Sequence, residues 1–385
     1  MSLFWSYSAG GGTGAAQRSG CVRRREPECS AARCAAAPVR YSGHSSPLTA
    51  RPDAGRPPHV PMTASHDPAA APFPCARFIK EIGRGPNGAR ALSAEDTFEL
   101  YRAMLDARVS DVELGAILIA YRLKGESADE LAAMLAAAQA SFEPVHVQDA
   151  AFRPVSIPSY NGARKQPNLV PLLALLLARE GVPVLVHGVE RDPGRVTSAE
   201  IFSALSLAPS TSHDAIEDTL AERRVAFAPI DVLAPRIAHL LSMRGVLGVR
   251  NSTHTLVKIL QPFAPAGLRL VNYTHPPYRD SLAQLFRDHP DAARGGALLA
   301  RGTEGEAVAD TRRQVQVDWL HDGVCDTLID AERSSTDAPP VALPESRDAA
   351  TTAAWTDAVL RGEVPVPDTV TRQVATIVQI VRVAR

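Results

Sequence analysis

The sequence predicts an α/β protein: a small N-terminal helical domain, then a large α/β domain with a mainly parallel central sheet flanked by helices. Three observations carry this. Hydroxyl-capped helix starts follow one another between residues 93 and 140 with short links. One continuous apolar run, Leu169 to Ala178, follows a strand-like segment. From about Arg153 onward, short apolar runs alternate with helical periodicity, the pattern of parallel strands joined by crossover helices.

Residues 1–74 differ from the rest. They are rich in Gly, Ser, Ala, Pro and Arg and show no hydrophobic periodicity, so they bury too little apolar surface to order themselves. Two readings stand: a disordered extension, which as an Arg-rich, acid-poor leader also fits a transit peptide, or a start codon assigned too far upstream. Met62 opens the short segment before the folded part, and the mature start is expected at or near it. Of 41 basic and 42 acidic residues, 8 Arg and 3 acids precede Met62, which leaves 33 against 39, a formal −6.

The helical domain is expected over residues 77–142. Ser93 with Asp96, Ser110 with Glu113 and Ser127 with Glu130 each set a hydroxyl three residues before a carboxylate, the capping-box spacing. Apolar residues follow at helical intervals, and Gly125 ends the second of these helices. Leu114, Ile117, Leu118, Ile119 and Tyr121 are more apolar surface than one small bundle needs, which points to a homodimer formed through residues 93–140.

The α/β domain is expected over residues 150–385. Its strands are a segment from Arg153 to Pro158, then Pro183–His187, Leu268–Tyr273, Gly296–Ala300 and Gln314–Trp319. Helical segments are expected at Ser198–Leu207, Ala215–Arg224 and Pro235–Met243, with Leu169–Ala178 a buried crossover helix. Glu332–Asp348 reads as a polar loop, and Thr352–Arg361 and Asp368–Val383 as two closing helices.

Composition excludes some classes of function. The longest apolar run is about half of what spans a bilayer, so no membrane partner is expected. The five cysteines lack metal-ligand spacing and three fall in the N-terminal tail, which suits reduced thiols in a cytoplasmic protein. An acidic body argues against a uniformly basic nucleic-acid domain; any such surface is a local patch.

The segment SYNGARKQPN, Ser159 to Asn168, is the most informative piece of the chain. It lies between a strand and an apolar helix, where free N–H groups and the helix dipole favour an anion. Gly162 alone allows close backbone approach, no carboxylate stands in the segment, and Arg164 and Lys165 supply positive charge. A second basic, glycine-rich loop carries Lys80, Arg84 and Arg90. Contacts of this kind suit phosphate chains without reading bases. A plain strand-to-helix turn and a solvated charged face are the competing readings.

The segments IKEIGRGPNGAR, IPSYNGARKQPN, VLVHGVERDPGRV, MRGVLGVRNSTHTLVK and ARGTEGE give the chain from about Phe78 onward a resemblance to glycosyltransferase family 3. This family contains anthranilate phosphoribosyltransferase and the pyrimidine nucleoside phosphorylases, and the closer resemblance is to its YbiB-type branch. The resemblance implies the nucleoside phosphorylase/phosphoribosyltransferase-like fold, with segments near residues 230–260 completing the helical domain. It also implies that Ser159, Tyr160, Asn161, Gly162 and Ala163 replace the glycine-rich GTGGD loop that wraps the diphosphate. His187 and Gly188 remain from a KHGNR motif. Ala307 and Val308 replace the paired magnesium carboxylates of DGxDE, so no metal and no cofactor is expected. Arg250 matches the arginine near the acceptor, and on a helix His254 and Lys258 would share its face. A buried His at a strand end such as His187 is more often a hydrogen-bonded core residue than a catalyst.

These departures imply a protein with degraded catalytic motifs that binds DNA or RNA without sequence preference, as the YbiB-type branch does. Asn161, Gly162, His187, Gly188 and Arg250 would line a remnant cleft able to take a phosphate-containing small ligand. Two alternatives stay open: a phosphoribosyltransferase acting on an unknown acceptor, and a structural or partner-binding scaffold.

Overall fold

The computed structural model describes residues 71–383, except Pro86, Gln148, Ala150 and residues 333–341. The expected N-terminal extension, its start at Met62 and most of the Glu332–Asp348 loop lie outside the described residues.

Four helices come first: α1 (Ala76–Ile82), α2 (Ala94–Leu105), α3 (Asp111–Lys124) and α4 (Ala128–Gln139). Local chemistry sets their starts. Ser93 Oγ accepts from Asp96 N, and Ser110 and Ser127 close full capping boxes with Glu113 and Glu130. Glu130 also works at long range. Its buried carboxylate accepts from Leu92 N at 3.0 Å, Ser127 N at 2.9 Å and Lys124 Nζ at 2.6 Å, so its charge is answered on every side. Gly125, at φ +79°, ends α3 where a Cβ would be strained.

The chain then alternates: β1 (Val155–Ser159), α5 (Val170–Arg179), β2 (Val184–Gly188), α6 (Ser198–Ala204), α7 (His213–Arg223) and β3 (Val225–Pro229). Next come α8 (Ile230–Leu233), α9 (Pro235–Leu247) and α10 (Thr253–Leu256); α9 packs against α2 and α10 against α4, while α8 stays against β2, β3 and α9. Tyr101 on α2 and Thr253 on α10 share a buried hydroxyl contact of 2.9 Å. The sheet resumes with β4 (Leu268–Tyr273), α11 (Pro276–Asp288), β5 (Ala297–Arg301), β6 (Val317–His321) and β7 (Val324–Ile329), and α12 (Ala349–Leu360) and α13 (Asp368–Val381) close the chain.

The seven strands run in the order β3-β2-β1-β4-β5-β6-β7; the first five are parallel and the last two antiparallel. Strand alternation splits the core between the two faces. Val184, Val186, Leu268, Leu270 and Leu298 pack under α5 and α13, while Leu185, Val271 and Leu299 face the cluster shared with α7, α8 and α11. No described helix is long and apolar enough to cross a membrane.

Several expectations need correction. Helix α11 and strands β3 and β7 were not predicted. Leu114, Ile117, Leu118 and Tyr121, expected to supply a dimer surface, are buried in the chain's own core. The exposed apolar residues of α3 are instead Val112 (85%) and Leu123 (81%), in line with Ala116 and Ile119 at helical spacing. Val246 (78%) lies on the last turn of α9. That turn is close by, since a Cβ on Gly115 would stand 4.0 Å from Leu247 Cδ2.

Candidate functional site

Strands β1, β2, β4 and β5 end on one edge of the sheet, the carboxyl edge where ligands of open α/β sheets bind. After β1 the chain turns through Asn161 and Gly162, with Gly162 at φ +65°. Ala163 and Val196 exchange backbone hydrogen bonds of 2.9 Å, which fixes the turn against the loop after β2. Helix α5 starts only at Val170, where Asn168 Oδ1 accepts from Val170 N at 3.1 Å. Arg164 and Lys165 are exposed but do not sit at the helix N-terminus as expected, because residues 166–169 intervene and the helix start is buried. The free donors belong to the turn itself.

Those donors are taken by two carboxylates. Glu306 Oε1 accepts from Asn161 N at 2.8 Å and Gly162 N at 2.7 Å. Glu304 accepts from Arg164 N at 2.6 Å and from Lys165 N at 2.9 and 3.0 Å. Asn161 Nδ2 donates to Gly305 O at 3.0 Å. The segment carries no carboxylate of its own, and the acids that meet it come from the loop after β5. Burial pushes the Glu306 carboxyl upward, opposed by the Ser159 hydroxyl, the two turn N–H groups and Lys258.

A ring of cations surrounds the turn. Arg250 Nη2 donates to Asn161 Oδ1 at 2.7 Å and Arg195 Nη1 to Gly162 O at 3.3 Å. Lys258 Nζ is directed at Asn272 Oδ1 (3.3 Å) and Gly305 O (3.4 Å), and burial brings it down to about 8. Burial and then Arg244 and Arg195 lower the Arg250 guanidinium, with Asp192 opposing and Arg122 adding to the repulsion. His254 is held at about 4 by burial, Arg250 and Arg244. Arg250, His254 and Lys258 do not share a helix face as expected, since α10 covers only Thr253–Leu256 and Arg250 precedes it. The loop nevertheless brings them together. Sequence reading passed over Arg122 and Arg244, which lie on helices without any motif to mark them.

His187 is a core residue. Its Nδ1 pairs with Tyr160 Oη at 2.7 Å and its Nε2 with Ser156 Oγ at 3.1 Å, and burial drops it to about 3. Gly188 is required by packing, because a Cβ there would lie 1.8 Å from Ser159 O. Lys80, Arg84 and Arg90 are exposed, but they do not share one loop as expected, since Lys80 lies in the last turn of α1; the contacts of Arg84 are local, Nη2 to Glu81 at 2.6 Å and Nε to Lys80 O at 3.2 Å. No described hydrogen bond or ion pair joins this loop to the 161–165 turn.

Ala307 and Val308 are buried in the apolar cluster under α5 and α13. Asp310, the next acid, is paired with Arg312 at 3.1 Å and Arg313 at 3.2 Å. Among the described residues no group of three or more His, Cys, Asp or Glu side chains is placed to hold a metal ion.

Comparison with known proteins places this geometry. The helical bundle domain of the glycosyl transferase family matches residues 76–142. The YbiB protein of Escherichia coli (strain K12) is 40% identical over 300 residues, 78% of this chain and 92% of that protein. The anthranilate phosphoribosyltransferase of Rhizobium meliloti (strain 1021) is 30% identical over 201 residues, 51% of this chain and 58% of that enzyme. In fold, the crystal structure of anthranilate phosphoribosyltransferase from Thermus thermophilus superposes with a TM-score of 0.58 at 23% identity, covering 78% of this chain and 87% of that one.

Proposed function

The chain belongs to the glycosyltransferase family that includes YbiB and the anthranilate phosphoribosyltransferases, and from that premise we propose that it binds nucleic acid through the phosphate backbone at the mouth of its transferase-like cleft. One observation carries the reading. Arg122, Arg164, Lys165 and Arg191 are exposed and have no side-chain partner among the described residues, and Arg122, Arg195 and Arg244 are close enough to Arg250 to act on its charge. Exposed cations without side-chain partners favour a polyanion, and phosphate contacts of this kind carry no base information. The acidic balance of the remaining body confines binding to this patch. Lys80, Arg84 and Arg90 are proposed as a second contact along the same strand of DNA or RNA. Fluorescence anisotropy with unrelated duplex and single-stranded oligonucleotides tests the proposal: comparable affinity for all sequences supports it, and no binding at low salt overturns it.

Phosphoribosyl transfer is the second reading, and the family favours it. Against it stand Ala307 and Val308 at the metal-carboxylate positions and the occupied donors of the 161–165 turn. Release of diphosphate from phosphoribosyl diphosphate in the presence of anthranilate would decide for the enzyme. A two-fold dimer is also proposed, through the stripe of α3 formed by exposed Val112, Ala116 and Leu123 and half-buried Ile119, with Val246 of α9 beside it.

A further inference from the structure

Strand β3 forms one edge of the sheet, so the backbone groups it turns away from β2 must be answered from outside the ladder. Val225 pairs with Val184, and Val184 N donates to Arg224 O at 2.8 Å. Alternation then directs Ala226 and Ala228 at β2, and Val225 and Phe227 outward. One outward group is answered, since Ser210 N donates to Phe227 O at 2.9 Å. Among the described residues no hydrogen bond takes Val225 N, Val225 O or Phe227 N, although both residues are buried.

The outer edge of β3 closes a cavity of about 400 Å³ between helix α7 and the 206–211 loop, a size typical of small-ligand sites. The loop is fixed at its start: Leu207 N donates to Phe202 O at 2.9 Å across Ser206 at φ +62°, a helix-ending turn of the Schellman type. Ser210 lines the cavity and is 6% exposed, and its Oγ is buried without a partner. Phe202 and Phe227, with ring centroids 6.0 Å apart, make an apolar wall together with Leu207. At the mouth, Glu222 and Arg223 are exposed and opposite in charge, which favours a neutral ligand over an ion.

We propose that this cavity binds a short neutral peptide with an apolar side chain, added to β3 as a strand. One peptide residue would exchange both of its hydrogen bonds with Val225, as in an antiparallel hydrogen-bonded pair. Phe227 N and the Ser210 hydroxyl are further donors for its carbonyl groups, and its side chain would rest against Phe202 and Leu207. The cavity lies toward the amino end of β3, away from the carboxyl edge that carries the 161–165 turn, and shares no residue with that turn. The proposal is therefore independent of the nucleic-acid reading.

Titration of acetyl-Ala-Leu-Ala-amide into the full chain tests it, followed by NMR on protein isotope-labelled at the valine and phenylalanine nitrogens. The Val225 and Phe227 amide signals should shift saturably, with a dissociation constant in the millimolar range or below. The same peptide N-methylated at leucine cannot donate to Val225 O and should bind at least about threefold more weakly. Thr219→Phe fills the cavity from α7 and should abolish binding, whereas Asp218→Phe, at an exposed neighbour outside the cavity, should leave it intact. If Thr219→Phe does not fold, the methylated peptide on the parent carries the test. Absence of saturable shifts at about 10 mM peptide would overturn the proposal. So would equal binding of the methylated peptide, or an Asp218→Phe variant that loses binding as fully as Thr219→Phe.

Discussion

Replacing His187 with glutamine tests whether this family remnant is a core residue or a proton-transfer group. The imidazole is buried, hydrogen-bonded to Tyr160 and Ser156, and its pKa is held at about 3 by burial, against an ordinary 6.5. Between those values the unfolded chain binds a proton that the folded chain does not. Its contribution to stability is therefore intact above about pH 6.5 and is lost as pH falls through the window below. One pKa unit corresponds to about 1.36 kcal/mol, so the loss reaches about 2 kcal/mol at pH 5. His187→Gln removes this titration and keeps a polar side chain in the hydroxyl pair. At pH 7 the variant should be about 1–3 kcal/mol less stable through imperfect hydrogen bonding. The gap should then narrow by about 2 kcal/mol between pH 7 and pH 5, because only the parent has the buried imidazole to protonate. Urea denaturation at both values, taking the parent–variant difference, cancels the other titrating groups. An unchanged gap would refute the reasoning and leave His187 a solvated or charged group in the fold.

Gly305→Ala should destabilise by roughly 2 kcal/mol or more, since φ +90° and the 1.8 Å approach to Asn161 both oppose a Cβ; thermal unfolding checks it, and a neutral result would mean the loop after β5 does not seat on the turn. Leu123→Glu should convert a dimer to a monomer at micromolar concentration with little change in Tm, because Leu123 is 81% exposed in the protomer. Light scattering reads the outcome, and a parent that is already monomeric contradicts the proposed interface.

Much of the fold was legible wherever short-range chemistry decides it. Ser93, Ser110 and Ser127 cap helices because a hydroxyl three residues ahead of a carboxylate satisfies end donors locally. The apolar run after SYNGARKQPN became the buried helix α5 for an equally local reason. Helix α11, which was not predicted, begins at the paired prolines Pro276 and Pro277, which occupy its first turn. Strand β7 was missed because it is an exposed edge strand held by backbone pairing, with no alternation in VCDTLI to mark it. The site was legible only by halves. The donor turn announced itself, but its acceptors lie about 140 residues away and meet it only through the β1-β4-β5 order of the sheet. The signal available was Glu304-Gly305-Glu306 itself, two acids flanking a glycine in the loop after β5.

The central claim is that exposed cations at this turn hold a phosphate backbone. It is tested most directly by the affinity of Arg164→Ala/Lys165→Ala and the parent for two unrelated DNA sequences across a salt series. Both side chains are exposed, so the fold should be retained, and circular dichroism verifies it. The double variant should bind both sequences more weakly by a similar factor. Its log–log salt slope should flatten by roughly 0.7–0.9 for each phosphate that the variant no longer neutralises. Equal affinity with an unchanged slope would contradict the account.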